Sequence, residues 1–409
     1  MKYSIHFRFL LAAIILMPPL FLSAQSSFDK EKLETVFNSK NIPSVVFGTV
    51  DKAGNTEWLS FGPSVWKEEG KVEQDNIFRI ASMTKAITSV AAMQLVEQGV
   101  IGLDDPLNEL MPEMVEIPIL TVEGELIQSE SIITLRHLLT HTSGFGYTFL
   151  EKRLQDFQAT NKEWTYKDAP RMSTPGSLWR YGTSTDWAGK VVEKLSGKDL
   201  ETYFRENITG PLEMNSTWFN VPENLHHKIV SYGVRSNQDF TEYPRVPINK
   251  VKNYSGGGGL FSSPEDYLKF IHCILNEGQH KNGQLLKRET VQSLYEHQLP
   301  DSLHVRLNVP ENSYIGNEDQ IHPTDNHGLA WVISEGLITD EKWQSARYWD
   351  GSYRKGAGFW SGLYNTFFTI EPSLKFGVVS FMNLLPSLDN EAVELYRAFE
   401  EEVYSSHKK

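Results

Sequence analysis

The chain has 409 residues, 40% of them hydrophobic, 12% aromatic and 22% charged, which is the make-up of one large globular domain or two intermeshed ones and excludes a disordered chain. Its formal net charge of −13 speaks against a general nucleic-acid binder, because so acidic a surface repels phosphate backbones. The single cysteine, Cys273, excludes an internal disulfide and any cysteine-based zinc or iron-sulfur cluster.

Lys2 and Arg8 precede an apolar run from Phe9 to Leu22 that closes on Ser23 and Ala24, so residues 1–24 read as a secretory signal peptide. No later stretch offers the ~18 apolar residues of a spanning helix, and a secreted or periplasmic protein without stable membrane insertion is expected. From Phe28 to Asn38, Leu33, Val36 and Phe37 share a helical face, and Ser44–Val50 and Thr56–Phe61 read as strands around a turn at Ala53, Gly54 and Asn55. Ile77–Ile80 is a short extended piece, after which Ser82 is expected to begin a helix with Met83, Ile87, Val90, Ala91 and Leu95 on one stripe, ending at Gly99. Residues 25–103 are therefore read as the first part of a sheet domain.

Residues 104–254 carry helical stretches such as Trp187–Leu195 and Leu200–Arg205 between loops rich in Pro and Gly, and lack long β runs, so they read as an α-rich insert. Gly256–Gly259 form a glycine tract without the G-K-[ST] ending of a phosphate loop, hence a tight turn. Ser263 as N-cap and Pro264 behind it open a helix to about Leu275. Leu299–His327 is a long polar connection, Leu363–Ile370 and Lys375–Met382 are β-rich, and Asn390–Val403 closes the chain as a helix. Residues 255–409 thus complete the sheet domain, whose sheet is assembled from the two chain ends with no internal repeat between them.

Ser82-Met83-Thr84-Lys85 is an S-x-x-K element, one of several in the chain, and its position where an extended piece meets a buried helix distinguishes it. A serine hydroxyl is a poor nucleophile until a neighbouring base takes its proton, and a lysine one helical turn away, shut from water, is a residue type that can do so. The same residues also fit a plain helix cap with a surface charge. Further along, Trp179-Arg180-Tyr181-Gly182-Thr183 precedes a helix near Thr185, which would leave the Tyr181 phenol free to point into a cleft as a second base. Phe359-Trp360-Ser361-Gly362-Leu363 leads into a strand, where the N–H groups of Leu363 and Ser82 can form an oxyanion hole.

Together with LRHLLTHTSGFGY (Leu135–Tyr147), RYGTSTDWAGKVVEKLSG (Arg180–Gly197), the glycine tract through Asp266, and WSGLYNTFFTIEP (Trp360–Pro372), the chain resembles the serine β-lactamase and penicillin-binding superfamily over most of its mature length. The Y-G-x-S-x-D and W-S-G patterns look most like family VIII carboxylesterases and the related fungal acyltransferases. The resemblance implies an α/β (α+β) β-lactamase/transpeptidase-like fold, an antiparallel sheet flanked by helices with an α-rich domain beside it. It implies an acyl-enzyme mechanism run by Ser82, Lys85 and Tyr181, with Thr183, Trp360, Ser361 and Gly362 against the substrate, and no cofactor or metal.

Two positions depart from the β-lactamase pattern. Thr183 stands where those enzymes carry an asparagine, and Trp360 where they carry a cation, so no side chain there pairs with a substrate carboxylate, although Lys355 is close in sequence. The leading expectation is a serine hydrolase acting on short, uncharged carboxylic esters, with a small-molecule ester or amide as its partner. A β-lactamase or D-Ala-D-Ala carboxypeptidase, and a non-catalytic receptor for cell-wall fragments, are the rival readings. His137 and His141, four apart, lack the glutamate of a zinc protease and read as structural, and there is no G-x-S-x-G elbow. The aromatic cluster of Trp179, Trp187, Phe359 and Trp360 is expected to divide between core and acyl pocket.

Overall fold

The computed structural model describes residues 28–164, 168–236, 239–247, 249–305, 307, 325–334 and 356–407. The expected signal peptide, most of the polar connection before His327, and Lys355 lie outside the described residues.

Seven antiparallel strands form the main sheet: β1 (Val45–Asp51), β2 (Thr56–Phe61), β3 (Asn326–His327), β4 (Val332–Ile333), β5 (Gly358–Gly362), β6 (Thr366–Glu371) and β7 (Phe376–Phe381). Their order is β3-β4-β5-β6-β7-β1-β2, so the N-terminal hairpin joins the C-terminal strands through the β1–β7 pairing, with Phe47 opposite Ser380. The principal helices are α1 (Lys30–Asn38), α2 (Thr84–Glu97), α3 (Ser184–Ser196), α4 (Pro264–Leu275) and α5 (Asn390–His407).

Helices cover both faces of the sheet. On one face α5 stacks Tyr396 on Phe367 at 4.6 Å and Phe399 on Phe47 at 4.5 Å, while Phe28, just before α1, meets Phe399. On the other, α4 sets Tyr267 against Phe368, and its Leu268 and Ile271 lie over the backbone of Gly48 and Gly377. Because both faces are covered, every residue of β6 and β7 is buried, the polar Thr366, Thr369, Glu371 and Ser380 included, instead of alternating with exposed ones. The N-terminus of α4 is as expected: the Ser263 side chain accepts from the Asp266 N–H at 3.2 Å, a cap worth ~1 kcal/mol, and Pro264 follows where no N–H is needed.

Four expectations need correction. Ser82 does not begin α2; it sits in a single 3₁₀ turn, Ala81–Met83, and α2 starts at Thr84. Nor does α2 carry one apolar stripe, since every residue from Thr84 to Leu95 is buried between the sheet domain and neighbouring helices. The predicted strand Leu363–Ile370 is two pieces: the W-S-G residues belong to β5, Leu363–Asn365 make the turn, and β6 begins at Thr366. The middle of the chain also holds a hairpin of five-residue strands, Tyr232–Ser236 and Asp239–Tyr243, which Leu384–Leu385 extends in parallel. The second of these strands is polar and largely exposed, and the first has only Tyr232 and Val234 as large apolar side chains, so no apolar run marked them.

Candidate active site

The site lies where the end of β5 meets the turn that opens α2. Phe78–Arg79, just before that turn, pairs with Phe261–Ser262, just after the glycine tract, and Ile80 donates to the Leu260 carbonyl. The Tyr267 hydroxyl holds the Met83 carbonyl at 2.9 Å. Ala81 is held at φ 42, a conformation that costs a residue with a Cβ about 1–3 kcal/mol and survives only where packing imposes it. The Ser82 side chain that follows is half-buried and faces Lys85.

Lys85 is 4% exposed, so its amine must be compensated by protein groups. Its Nζ lies 3.3 Å from Ser82 Oγ, 3.0 Å from the Tyr147 hydroxyl and 2.6 Å from the Gly257 carbonyl oxygen. The ring of Tyr181 covers the same nitrogen at 4.7 Å and that of Tyr147 at 5.3 Å. A carbonyl only accepts, so one N–H is committed to Gly257. The other two partners are hydroxyls, each able to donate or accept.

Tyr147 went unnoticed in the sequence as a chemical group. It ends the LRHLLTHTSGFGY run, and its aromatic type there was the only sign available. Tyr181, by contrast, does not have the free phenol expected of it. It is 9% exposed, its oxygen accepts from the Trp360 indole N–H at 3.2 Å, and its ring meets Tyr147 edge-on at 5.3 Å. The two phenols and the indole thus form one wall over Lys85.

Gly362 is packed so closely on the nucleophile's approach that a Cβ there would lie 2.3 Å from the Ile80 carbonyl oxygen and 2.3 Å from Thr366 Oγ1. Leu363, the next residue, is half-buried, as is Ser361. Thr183 is 2% exposed and stands just before α3, where its carbonyl accepts from the Trp187 N–H. Of the aromatic cluster, Trp187 stacks on Phe145 in the core, Phe359 is buried, and Trp179 and Trp360 flank Tyr181.

His137 and His141 do not share a helix face. The helix is only Leu135–Leu139; His137 caps it with Thr134, while His141 lies beyond it at φ 56. His141 belongs instead to the floor of the site, its ring 4.9 Å from Tyr181 and 5.5 Å from His327, both centroid distances. The His327 Nδ1–H donates to the Gly328 carbonyl at 2.6 Å, and burial pushes its pKa down to about 4. Burial holds His141 well below the usual histidine value too, with His327 and Lys85 adding to the effect, so both rings are neutral near pH 7. Lys85, Ser89, His141, His327 and Trp360 enclose a cavity of about 10 Å³, room for a water at most.

Comparison with known proteins places this geometry in a family. The profile described as Beta-lactamase matches residues 30–402. A monacolin J acid methylbutanoyltransferase of Aspergillus terreus is 30% identical over 413 residues, spanning 92% of this chain and 96% of that protein. A lovastatin esterase of Penicillium rubens is 27% identical over 365 residues, spanning 83% of this chain and 88% of the esterase. Among solved structures, a mutant simvastatin synthase from Aspergillus terreus superposes with a TM-score of 0.79 at 29% identity, over 92% of this chain and 94% of that one.

Proposed function

The chain belongs to the beta-lactamase family, and we propose that within it the protein is a serine enzyme cleaving carboxylic esters through a covalent acyl-Ser82 intermediate. The observation that carries this reading is the 3.3 Å contact between Ser82 Oγ and the amine of a lysine buried beside it. To act as the base, Lys85 must keep two N–H groups on Gly257 O and the Tyr147 hydroxyl and present a lone pair to the Ser82 O–H, whose oxygen lies 3.3 Å away. As Oγ adds to the ester carbonyl, its proton passes to Nζ; the C–O bond to the alcohol then breaks, and the acyl group stays on Ser82. The N–H groups of Ser82 and Leu363 are the proposed donors to the tetrahedral oxyanion.

Because the Trp360 indole N–H occupies the Tyr181 oxygen, the phenol's own O–H is directed elsewhere, and we assign it to the departing alkoxide, the phenolate then taking up the proton that Lys85 received from Ser82. Trp360, with Ser361 and Gly362 along the β5 edge and Thr183 before α3, is the proposed binding surface. The relatives named for acyl transfer and ester cleavage support acyl chemistry on oxygen, and the methylbutanoyl group of one supports a short acyl chain. The transferase name also supports a second reading, in which an alcohol replaces water as the acceptor of the acyl group.

A β-lactam or cell-wall peptide brings a carboxylate, which costs several kcal/mol to leave unpaired away from water. Among the described residues, no arginine or second lysine is bonded to or stacked on Tyr181 or Trp360. A short neutral ester needs no such partner. We therefore expect kcat/KM for p-nitrophenyl butyrate to exceed that for a cephalosporin by at least ~10²-fold, or ~2.7 kcal/mol of transition-state discrimination. Equal values would favour the β-lactamase reading. No turnover and no acylation of either compound would favour a receptor.

A further inference from the structure

Asp186 lies in the first turn of α3 and is 6% exposed, yet it has no role in the chemistry described so far. Its Oδ1 accepts from Ser255 Oγ at 2.5 Å and from the backbone N–H of Gly257 at 3.3 Å. The same peptide segment then presents the Gly257 carbonyl to Lys85 at 2.6 Å. A Cβ on Gly257 would fall 2.2 Å from Asp186 Oδ2, so the carboxylate and this backbone approach more closely than any side chain would allow. One residue earlier, the Gly256 carbonyl accepts from Thr88 Oγ1 of α2 at 2.7 Å. The glycine tract is thus pinned between α3 and α2, with the two ends of one residue pointing at an acid and at the amine beside Ser82.

We infer that Asp186 is a positioning residue: by holding the N–H of Gly257 it aims the Gly257 carbonyl at Lys85 and so fixes where the amine sits relative to Ser82. This rests on the reading of Lys85 as the base for Ser82. With the acceptor gone, the Gly257 carbonyl is free to turn away, and Lys85 keeps only hydroxyl partners that do not fix its lone pair on Ser82. The effect belongs in the rate of acylation rather than in substrate affinity, because no contact of Asp186 reaches the Trp360 wall among the described residues.

The experiment uses the full protein and three substitutions, Asp186→Ala, Asp186→Glu and Asp186→Asn. Ala removes the acceptor, Glu moves it by a methylene, and Asn keeps an oxygen in its place. The readouts are kcat and KM with p-nitrophenyl butyrate, the rate of fluorophosphonate labelling mapped to the Ser82 peptide, and Tm. Ala and Glu should slow labelling and kcat by at least about 10-fold with KM within about twofold, and Asn should stay within about threefold of wild type. If the Ala variant fails to fold, the Glu and Asn pair decides. Labelling at the wild-type rate in the Ala or Glu variant, or an Asn variant as slow as Ala, overturns the inference while wild-type labelling at Ser82 leaves the acyl-enzyme reading standing. Wild-type protein that is not labelled at Ser82 removes that reading and this inference with it.

Discussion

Lys85 has an acceptor for its fixed N–H at Gly257, a phenol at Tyr147 and a serine hydroxyl on its remaining side, under a ceiling formed by the Tyr181 ring. Groups that move one proton between them act as a unit. Lys85→Ala should therefore lower kcat by ~10²–10⁴-fold and Tyr147→Phe by at least about 10-fold, with a double variant no worse than about the larger single loss. Losses that multiply in kcat would show that Tyr147 acts apart from Lys85. His327 supplies a pH test. Its folded pKa of about 4 lies below the ordinary value of 6.5, so in the unfolded chain it takes up a proton that the folded chain refuses. Stability present above pH 6.5 is then lost as pH falls towards 4, on the order of 3 kcal/mol from this one ring. Tm measured across this window should fall less steeply for His327→Asn than for wild type, and parallel curves would contradict it. None of this floor was visible in the sequence, since His141 and His327 are 186 positions apart and only the closed sheet brings their rings together.

At the level of elements, the hinge of the site is the close pass of β5 over the Ile80–Ser82 turn. A methyl group at position 362 meets a carbonyl oxygen and a threonine hydroxyl at 2.3 Å, neither of which is the far end of a flexible chain. Gly362→Ala should push β5 and Leu363 away from Ser82 and cut kcat by ~10²–10³-fold, the scale of losing one oxyanion donor, with circular dichroism little changed. Wild-type kcat in that variant would remove Leu363 from the proposed hole. Elements with local signals were legible: the Ser263-Pro264 start of α4, the turn at Gly54, and the strands β6 and β7 with their Phe, Ile and Val residues all carry their own chemistry. Elements defined by distant contacts were not. Ser82 lies in a 3₁₀ turn whose first residue, Ala81, is held at φ 42, and no helix signal in residues 81–84 could reveal that. That Tyr147 joins Tyr181 beside Lys85 was hidden for the same reason, because which tyrosines reach an amine depends on how two loops fold over α2.

For the whole molecule, the antiparallel sheet closed by β1 and β7 brings together residues from the first quarter, the middle and the last quarter of the chain: Ser82 and Lys85, Tyr147 and Tyr181, and Trp360. The motif spacings carried the identity of most of these residues, and the family match over residues 30–402 agrees with the fold they implied. What the spacings could not carry was the commitment of each hydrogen bond. The central claim is that the acyl group of an ester resides for a time on Ser82. Its most direct test is to mix the protein with excess p-nitrophenyl butyrate, quench in acid within the first turnovers, and read intact mass and peptide masses. A butyryl adduct confined to the peptide that carries Ser82, and missing from Ser82→Ala along with all turnover, is the result expected. An unmodified Ser82 peptide during active turnover, or a Ser82→Ala variant that hydrolyses the ester at the wild-type rate, would contradict it.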